Sequence, residues 1–194
     1  MTDVRDQKEF SGAKVSDDGS LFSGAGMSSI GDNASVNNGV RSDAGQLEER
    51  LAFIKSLWHA KRQGNGLPAR TDLDPAEFHR LWPITFLLER DEDASDWCVR
   101  FAGSAYGSVY GREITGAQVS DIVPISLAPQ VLDDLRRCAE VREPIVLDGE
   151  TNWPDRGNVY RYQRVLLPFG DGDGRVTHLL GVAAFFNSSG ATVF

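Results

Sequence analysis

The chain has 194 residues, of which 41% are hydrophobic and 25% charged, and its formal net charge is −8 at pH 7. This composition is ordinary for a globular protein, and the length suits one domain with an additional segment. An acidic chain repels phosphate groups, so the charge argues against nucleic-acid binding. Membrane insertion is not expected either, because no apolar run reaches the roughly 18 residues of a spanning helix.

Residues 1–42 are predicted to form a disordered tail. From Ser11 to Val40, 19 of 30 residues are Ser, Gly, Asn or Asp, and such a segment cannot bury enough apolar surface to offset the entropy of ordering it. The first residues, MTDVRDQKEFSGAK, carry charges where a signal peptide needs an apolar stretch. We therefore expect a cytoplasmic location.

The first predicted helix begins near Asp43, which with Gln46 matches a capping box, and it ends at Gly64-Asn65-Gly66. Its apolar residues recur at the spacing of one helix face, so this stripe must be buried against another surface. We expect the helix either to cover one face of a sheet or to meet a second subunit, and we expect a homodimer through it. The stripe consists of Leu47, Leu51, Ile54 and Trp58.

A second, shorter helix is predicted just before the sheet. Asp74 is a good N-cap residue, and Pro75 suits the first helical position. Pro83 should end this helix at about Trp82. Residues 43–82 are therefore expected to form a helical flank that precedes the main domain.

Residues 83–190 are predicted to form one α+β domain, because the hydrophobic period changes from that of a helix to two. Two strands, then helices, then three strands favour a five-stranded antiparallel sheet with helices on one face and the amphipathic first helix outside. The last strand, VTHLLGVAAFF, has apolar residues at both its odd and its even positions. Both of its faces should therefore be covered, which places it in the centre of the sheet. The strands are placed at about 84–88, 97–102, 144–149, 158–168 and 175–186, with helices at about 104–141.

The glycine-rich stretch RFAGSAYGSVYGREITG spans residues 100–116. It matches neither phosphate-binding pattern, GxGxxG or GxxxxGK[ST], and its GxxxG spacing has no membrane span around it. A structural interpretation fits better. Gly103 would end a strand, and Ser104 would cap a short helix. Gly107 would let that helix approach the sheet, and Gly111 would form a left-handed C-cap.

The run AYGSVYG, which begins at Ala105, and the following Gly116 resemble the NxAFxxLxG…xxIG signature of PAS domains. The order of the predicted elements is that of the PAS fold. The upstream run SLWHAKRQGNGLPARTDLDP resembles a bacterial subfamily of single-PAS-domain proteins that has an LW..KR....LPxRxDLDP element before the sheet. The resemblance covers roughly residues 45–187. The asparagine common at the end of the second PAS strand is replaced here by Ala102-Gly103-Ser104.

The PAS resemblance implies that the helices cup over the sheet and can hold a small molecule there. Gly181 and Ala183 are small residues on the central strand and would leave room for something bulky. The alternative is that the inward residues simply form a core. The candidate lining residues are Phe101, Tyr106, Val109, Tyr110, Ile122, Val131, Leu135, Leu166, Gly181 and Ala183.

The sequence does not identify a cofactor or a metal site. Neither Cys98 nor Cys138 lies in the NCRFLQ-like context of flavin-binding photosensory PAS domains, and both are expected to be reduced thiols. The helix near residues 129–142 has no His that could serve as an axial haem ligand. The strand VYRYQRVLLP contains Arg161 and Arg164, which are expected to be exposed; the alternative is an anion site for a carboxylate or phosphate.

The resemblance therefore implies a non-enzymatic PAS protein of bacterial signal transduction that senses a small molecule, contacts a protein partner, or does both. Its expected mechanism is a change in the packing of the first helix on the outer face of the sheet. Two alternatives remain: a ligand-free scaffold whose own side chains fill the cavity, and a small enzyme on a cone-shaped α+β fold. The enzyme would need an acid or base inside its cavity.

Overall fold

The computed structural model describes residues 37–91, 95–153, 158–171 and 174–192. The predicted tail lies outside these residues up to position 36. The helices are α1 (Asn37–Lys61), α2 (Ser104–Tyr110), α3 (Val119–Ile122) and α4 (Ala128–Val141), with 3₁₀ segments at Arg70–Asp72 and Pro75–Ile84. The strands are β1 (Thr85–Arg90), β2 (Trp97–Ala102), β3 (Ile145–Trp153), β4 (Asn158–Gly170) and β5 (Val176–Phe186).

The five strands form one antiparallel sheet in the order β2-β1-β5-β4-β3. The central position of β5 is visible at Val182, which pairs with Thr85 of β1 on one side and with Val165 of β4 on the other. Both faces of β5 are covered, which is why its sequence is apolar at both parities. The predicted five-stranded α+β fold is confirmed.

Each face of the sheet packs against a different set of helices. The face that α2, α3 and α4 cover is the inner face, and its core includes Leu166, Leu179 and Ala183. The face that α1 covers is the outer face, and its core includes Val165 and Val182. Because side chains alternate along a strand, neighbouring residues of β4 and β5 belong to different cores.

Helix α1 buries its apolar stripe on the sheet of its own chain. Leu47, Leu51, Ile54 and Trp58 are all buried in the outer core, and the Trp58 indole Nε1–H donates a 2.7 Å hydrogen bond to the Pro168 carbonyl of β4. Of the two roles expected for this helix, the structure accounts for the first, which is to cover the sheet. The homodimer stays a prediction.

Both helix starts before the sheet differ in detail from the prediction. Helix α1 begins at Asn37, so Asp43 lies within the helix and not at its first turn. The Asp74 side chain does accept the backbone N–H of Ala76 at 2.8 Å, as expected of an N-cap. The segment it caps is a 3₁₀ helix with a kink at Phe78, and it runs through Pro83 to Ile84.

The glycine-rich stretch connects β2 to α2 through a tight approach. Gly103, not Ser104, is the N-cap of α2, and a Cβ placed on Gly103 would lie 1.9 Å from the Trp82 carbonyl oxygen. A Cβ on Gly107 would meet nothing within 4 Å, so the expected close approach occurs at Gly103 and not at Gly107. Gly111 has φ 60° and forms the predicted left-handed C-cap.

The end of β4 extends beyond its partner β3. The last pair between them is Ile145 with Leu166, so the following residues of β4 have no neighbour in β3. The segment before the sheet reaches this point instead. Ala69 forms a parallel bridge with Gly170, and the Gly170 N–H donates to the Pro68 carbonyl at 3.0 Å.

Candidate functional site

A cavity of about 160 Å³ lies between the inner face of the sheet and the helices α2, α3 and α4. Its wall is mostly apolar, and Phe86, Tyr162 and Phe185 of the sheet contribute aromatic rings to it. Most of the sequence-predicted candidates come together here. Those that line the cavity are Tyr106, Val109, Tyr110, Ile122, Val131, Leu135 and Ala183.

Phe101 is predicted to face the cavity, but the structure places it on the other side of the sheet. Leu88 pairs with Val99 and Leu87 with Phe101, so a β-bulge gives β2 one extra residue, Arg100. An extra residue turns the side chains that follow it in the strand to the opposite face of the sheet. Phe101 is consequently 38% exposed and packs edge-on against Trp82, with ring centroids 6.4 Å apart.

Gly181 faces the inner side of the sheet, yet it does not line the cavity. A Cβ at this position would lie 2.0 Å from the Phe86 ring, so the space above the glycine is occupied by that ring. Leu166 is fully buried in the inner core and also stays away from the cavity wall. The bulky group that Gly181 accommodates therefore belongs to the same chain, whereas Ala183 does border open space.

Tyr106 belongs both to the core and to the cavity wall. Its ring packs edge-on between Phe86 and Phe185, at centroid distances of 5.4 and 5.5 Å. Its hydroxyl donates to the Ile84 carbonyl at 3.2 Å. These contacts hold the ring in one orientation, because edge-to-face geometry and the hydroxyl bond constrain it together. Tyr106 thus forms a rigid side of the cavity.

Arg164 is the charged residue that the sequence interpretation misplaced. It is 9% exposed, lies on the inner face opposite Leu147 and Ala183, and lines the cavity. Its Nη2 donates to the Asp134 carboxylate of α4 at 2.9 Å. Arg161 lies three residues earlier, at the opposite parity, and is exposed as expected. Arg164 shares its parity with Leu166, and that alternation could have indicated an inward position.

The Arg164 guanidinium also lies over the Tyr162 ring, with its carbon 5.2 Å from the ring centroid. Among the described residues, no acceptor lies within hydrogen-bond distance of its buried Nε. Buried donors are nearly always satisfied, because an unpaired one loses its hydrogen bonds to water without replacement. The orphaned Nε–H is therefore an unusual feature of this wall.

The two tyrosines of α2 are neutral in the folded chain. Burial raises the pKa of Tyr110 to about 12, and it raises the pKa of Tyr106 well above its ordinary value. The nearby Arg164 charge acts in the opposite direction on both pKa values without overcoming burial. A neutral phenol can donate a hydrogen bond but cannot remove a proton from a substrate, so these groups suit binding.

Neither cysteine lines the cavity. Cys138 is buried behind the wall, 3.7 Å from the carbonyls of Glu143 and Leu166, and burial raises the pKa of its thiol to about 12. Among the described lining residues there is no Asp, His or Cys. The part of the chain that the structure describes also contains no cluster of three or more His, Cys, Asp or Glu side chains able to hold a metal ion.

The five-stranded antiparallel sheet of order β2-β1-β5-β4-β3, with its helices, is a PAS-like fold. The sequence model of the PAS domain family matches residues 48–184, which is more than half of the chain. The chain therefore belongs to the PAS domain family. PAS domains are typically sensory or signalling modules and are usually non-catalytic.

Several solved structures are similar to this chain. A light-oxygen-voltage domain studied with a flavin analogue has 16% identity and a TM-score of 0.46, over 60% of this chain and 88% of that chain. The light state of the blue-light photoreceptor Aureochrome1 LOV has 12% identity and a TM-score of 0.44, over 60% and 91%. The PAS domain of Bordetella pertussis BvgS has 21% identity and a TM-score of 0.42, over 57% and 85%.

No functionally curated protein matches the sequence. Within the described residues, none of the helices has the length and apolar character that crossing a membrane requires.

Proposed function

We propose that this chain is a cytoplasmic, non-enzymatic PAS sensory module of bacterial signal transduction, which binds a small molecule in the inner cavity and passes the binding event to a protein partner. The observation that carries this proposal is the cavity itself. A volume of about 160 Å³ is far more than the 10–15 Å³ or so that one water needs. Its largely apolar wall with a few polar groups is the usual composition of a small-molecule site.

The non-enzymatic part of the proposal is supported by the chemistry of the wall. Its two α2 tyrosines, Tyr106 and Tyr110, are held neutral, and Arg164 is permanently charged at neutral pH. The remaining acidic lining residue, Glu150, is exposed and lies at the edge of the cavity. A general base would have to lie within hydrogen-bond reach of a bound substrate, and the buried lining residues that the structure describes include no carboxylate, imidazole or thiol.

The proposed signal runs through β4, because this strand contributes to both cores. Arg164 lines the cavity on the inner face, while the adjacent Val165 packs in the outer core that α1 covers. Trp58 of α1 is hydrogen bonded to Pro168 of the same strand. A ligand that favours one position of β4 would shift the packing of α1, which is a population shift between two arrangements.

Native mass spectrometry of the freshly purified full chain tests the binding function, together with hydrogen exchange of α1. A copurified small molecule, or binding of the neutral ring-sized probe nitrobenzene, is the expected result. Loading should also change amide exchange in Leu51–Trp58. An empty protein whose cavity also rejects nitrobenzene would instead indicate the ligand-free scaffold. Binding that leaves the exchange of α1 unchanged would retain the pocket but contradict the route through β4.

We also propose that the chain forms a homodimer through α1, by the part of the helix surface that lies outside its apolar stripe. The stripe from Leu47 to Trp58 is already buried on the sheet, so a second copy would have to meet the remaining surface of α1. Phe53 is a large apolar side chain on that surface and is 48% exposed. Light scattering should give a dimer mass for the native chain and a monomer mass for Phe53→Glu. A native monomer would contradict the dimer, and a dimeric variant would place its interface elsewhere.

A further inference from the structure

The buried Arg164 has an N–H donor for which the described residues provide no acceptor. One edge of its guanidinium contacts Asp134 at 2.9 Å, while Nε has no acceptor among the described residues. Leaving such a donor unsatisfied costs free energy, and charged pairs of this kind are often replaceable by apolar residues without loss of stability. The arrangement is therefore poorly explained by stability, and it places a guanidinium with an unused N–H donor at the wall of a cavity that can admit a ligand.

The charge around Arg164 limits what the ligand can be. Asp134 already offsets the guanidinium charge, and it holds the side chain in place from α4. The carboxylate of Glu150 also borders the cavity, on an exposed residue. A doubly charged phosphate would meet two carboxylates and one cation. A single carboxylate, with its charge delocalised over two oxygens, matches a guanidinium that is already partly neutralised better.

The remainder of the wall limits the size and shape of the ligand. An apolar cavity of about 150 Å³ binds benzene in an engineered protein, and the cavity here is about 160 Å³. Aromatic rings surround it, with Tyr106 fixed between Phe86 and Phe185. Flat apolar groups pack well against such rings, either edge-on or offset.

We infer that the cavity takes a small monocarboxylic acid with a ring-sized apolar body, whose carboxylate accepts a hydrogen bond from the Arg164 guanidinium. The apolar body lies against the aromatic wall, and Asp134 acts as a positioning residue for the guanidinium. This inference rests on the proposed function, because it assumes that the cavity admits a ligand. It adds the chemical class of that ligand.

The test compares benzoate with nitrobenzene, which has nearly the same shape and no net charge, by calorimetry on the full chain. Benzoate should bind one per chain and about ten- to a hundred-fold more tightly than nitrobenzene, the range of a charge-assisted hydrogen bond. Arg164→Met with Asp134→Leu should abolish that preference and keep nitrobenzene binding. The double change avoids leaving the Asp134 carboxylate unpaired. The matched control is Arg161→Met, an exposed arginine of the same strand, which should keep the preference.

A second measurement does not depend on the folding of any variant. In the native chain labelled with ¹⁵N-arginine, benzoate should shift the Nε–H resonance of Arg164, and nitrobenzene should leave it nearly unchanged. Equal affinity for the two probes, or a benzoate preference that survives in the double variant, would overturn the carboxylate site while leaving the cavity functional. If neither probe binds and no small molecule copurifies with the chain, the proposed sensing function and this inference are both wrong; a copurified molecule without benzoate binding would overturn this inference alone.

Discussion

The two faces of the sheet use the same strands and differ in how completely they are filled. On the outer face, Trp58, Val165 and Val182 have no solvent exposure, and helix α1 closes over them. On the inner face, three helices leave a cavity of about 160 Å³ and enclose a charged arginine. Adjacent residues of β4 belong to these two environments. The outer face therefore supplies stability, whereas the inner face retains open space at some cost in stability.

The cost follows from the contacts that the cavity wall lacks. A side chain that borders empty space loses dispersion contacts on that side, and a protein interior normally has few voids larger than a water. The outer core has close contacts where the inner core has open space, so the same kind of substitution should have unequal effects on the two faces.

The largest effect is expected at Trp58 of the outer face. Trp58→Ala should lower the free energy of unfolding by about 3–5 kcal/mol, as removal of a fully buried aromatic residue usually does. It also removes the 2.7 Å hydrogen bond to Pro168. Urea denaturation measures the change, and Glu48→Ala on the exposed side of the same helix is the control, expected within about 0.5 kcal/mol. A loss below about 1 kcal/mol at Trp58 would contradict the assignment of stability to this face.

A pair of neighbouring alanines on β5 makes the comparison within one strand. Ala184→Leu adds volume to the filled outer core and should destabilise the chain by about 1–3 kcal/mol. Ala183→Leu adds the same volume next to the cavity and should cost less than about 1 kcal/mol, while weakening nitrobenzene binding. Thermal unfolding with probe titration distinguishes the two. Equal destabilisation of both variants would mean that the inner face has no usable space.

The two thiols should differ in reactivity because only one is enclosed by the inner core. Burial raises the pKa of Cys138 to about 12, so almost none of it is thiolate at pH 8. Cys98 is partly exposed at the edge strand β2. A thiol reagent at pH 8 should therefore modify one residue in the native chain and two after unfolding. Rapid native labelling of Cys138, located by peptide mass spectrometry, would contradict its enclosure.

The smallest effect is expected at His178, a partly exposed residue of β5. Burial, assisted by the charges of Arg70 and Arg100, lowers its pKa below the ordinary value. The unfolded chain therefore binds the proton more readily, so stability falls as pH decreases through the ordinary histidine pKa of about 6.5. His178→Gln should lose slightly less stability than the native chain between pH 7 and pH 5. A steeper loss of stability in the variant would contradict the lowered pKa of His178.

Local patterns predicted much of the fold. The stripe of α1 and the both-parity apolar pattern of β5 identified a covered outer face and a central strand, because helix and strand periods are properties of neighbouring residues. Gly111 likewise adopted the left-handed conformation expected of a glycine C-cap. These features depend on short-range geometry, which a single sequence contains.

The candidate site was less predictable, because its shape depends on contacts between distant parts of the chain. Phe101 left the inner face through a bulge in the pairing of β2 with β1, and no local feature of its own strand marks that bulge. The burial of Arg164 depends on Asp134, thirty residues away in sequence. Gly181 proved to accommodate Phe86 of the neighbouring strand β1. Each outcome was decided by tertiary packing.

The contact of Pro68 and Ala69 with the end of β4 has a consequence for how the chain behaves in solution. Where β4 outruns β3, its backbone would present an open edge, and open edges are templates on which other chains can add a strand and aggregate. Ala69 and Pro68 occupy that edge at Gly170. The LPAR run before the sheet thus covers an edge to which another chain could add a strand, and this should limit aggregation when the protein is concentrated.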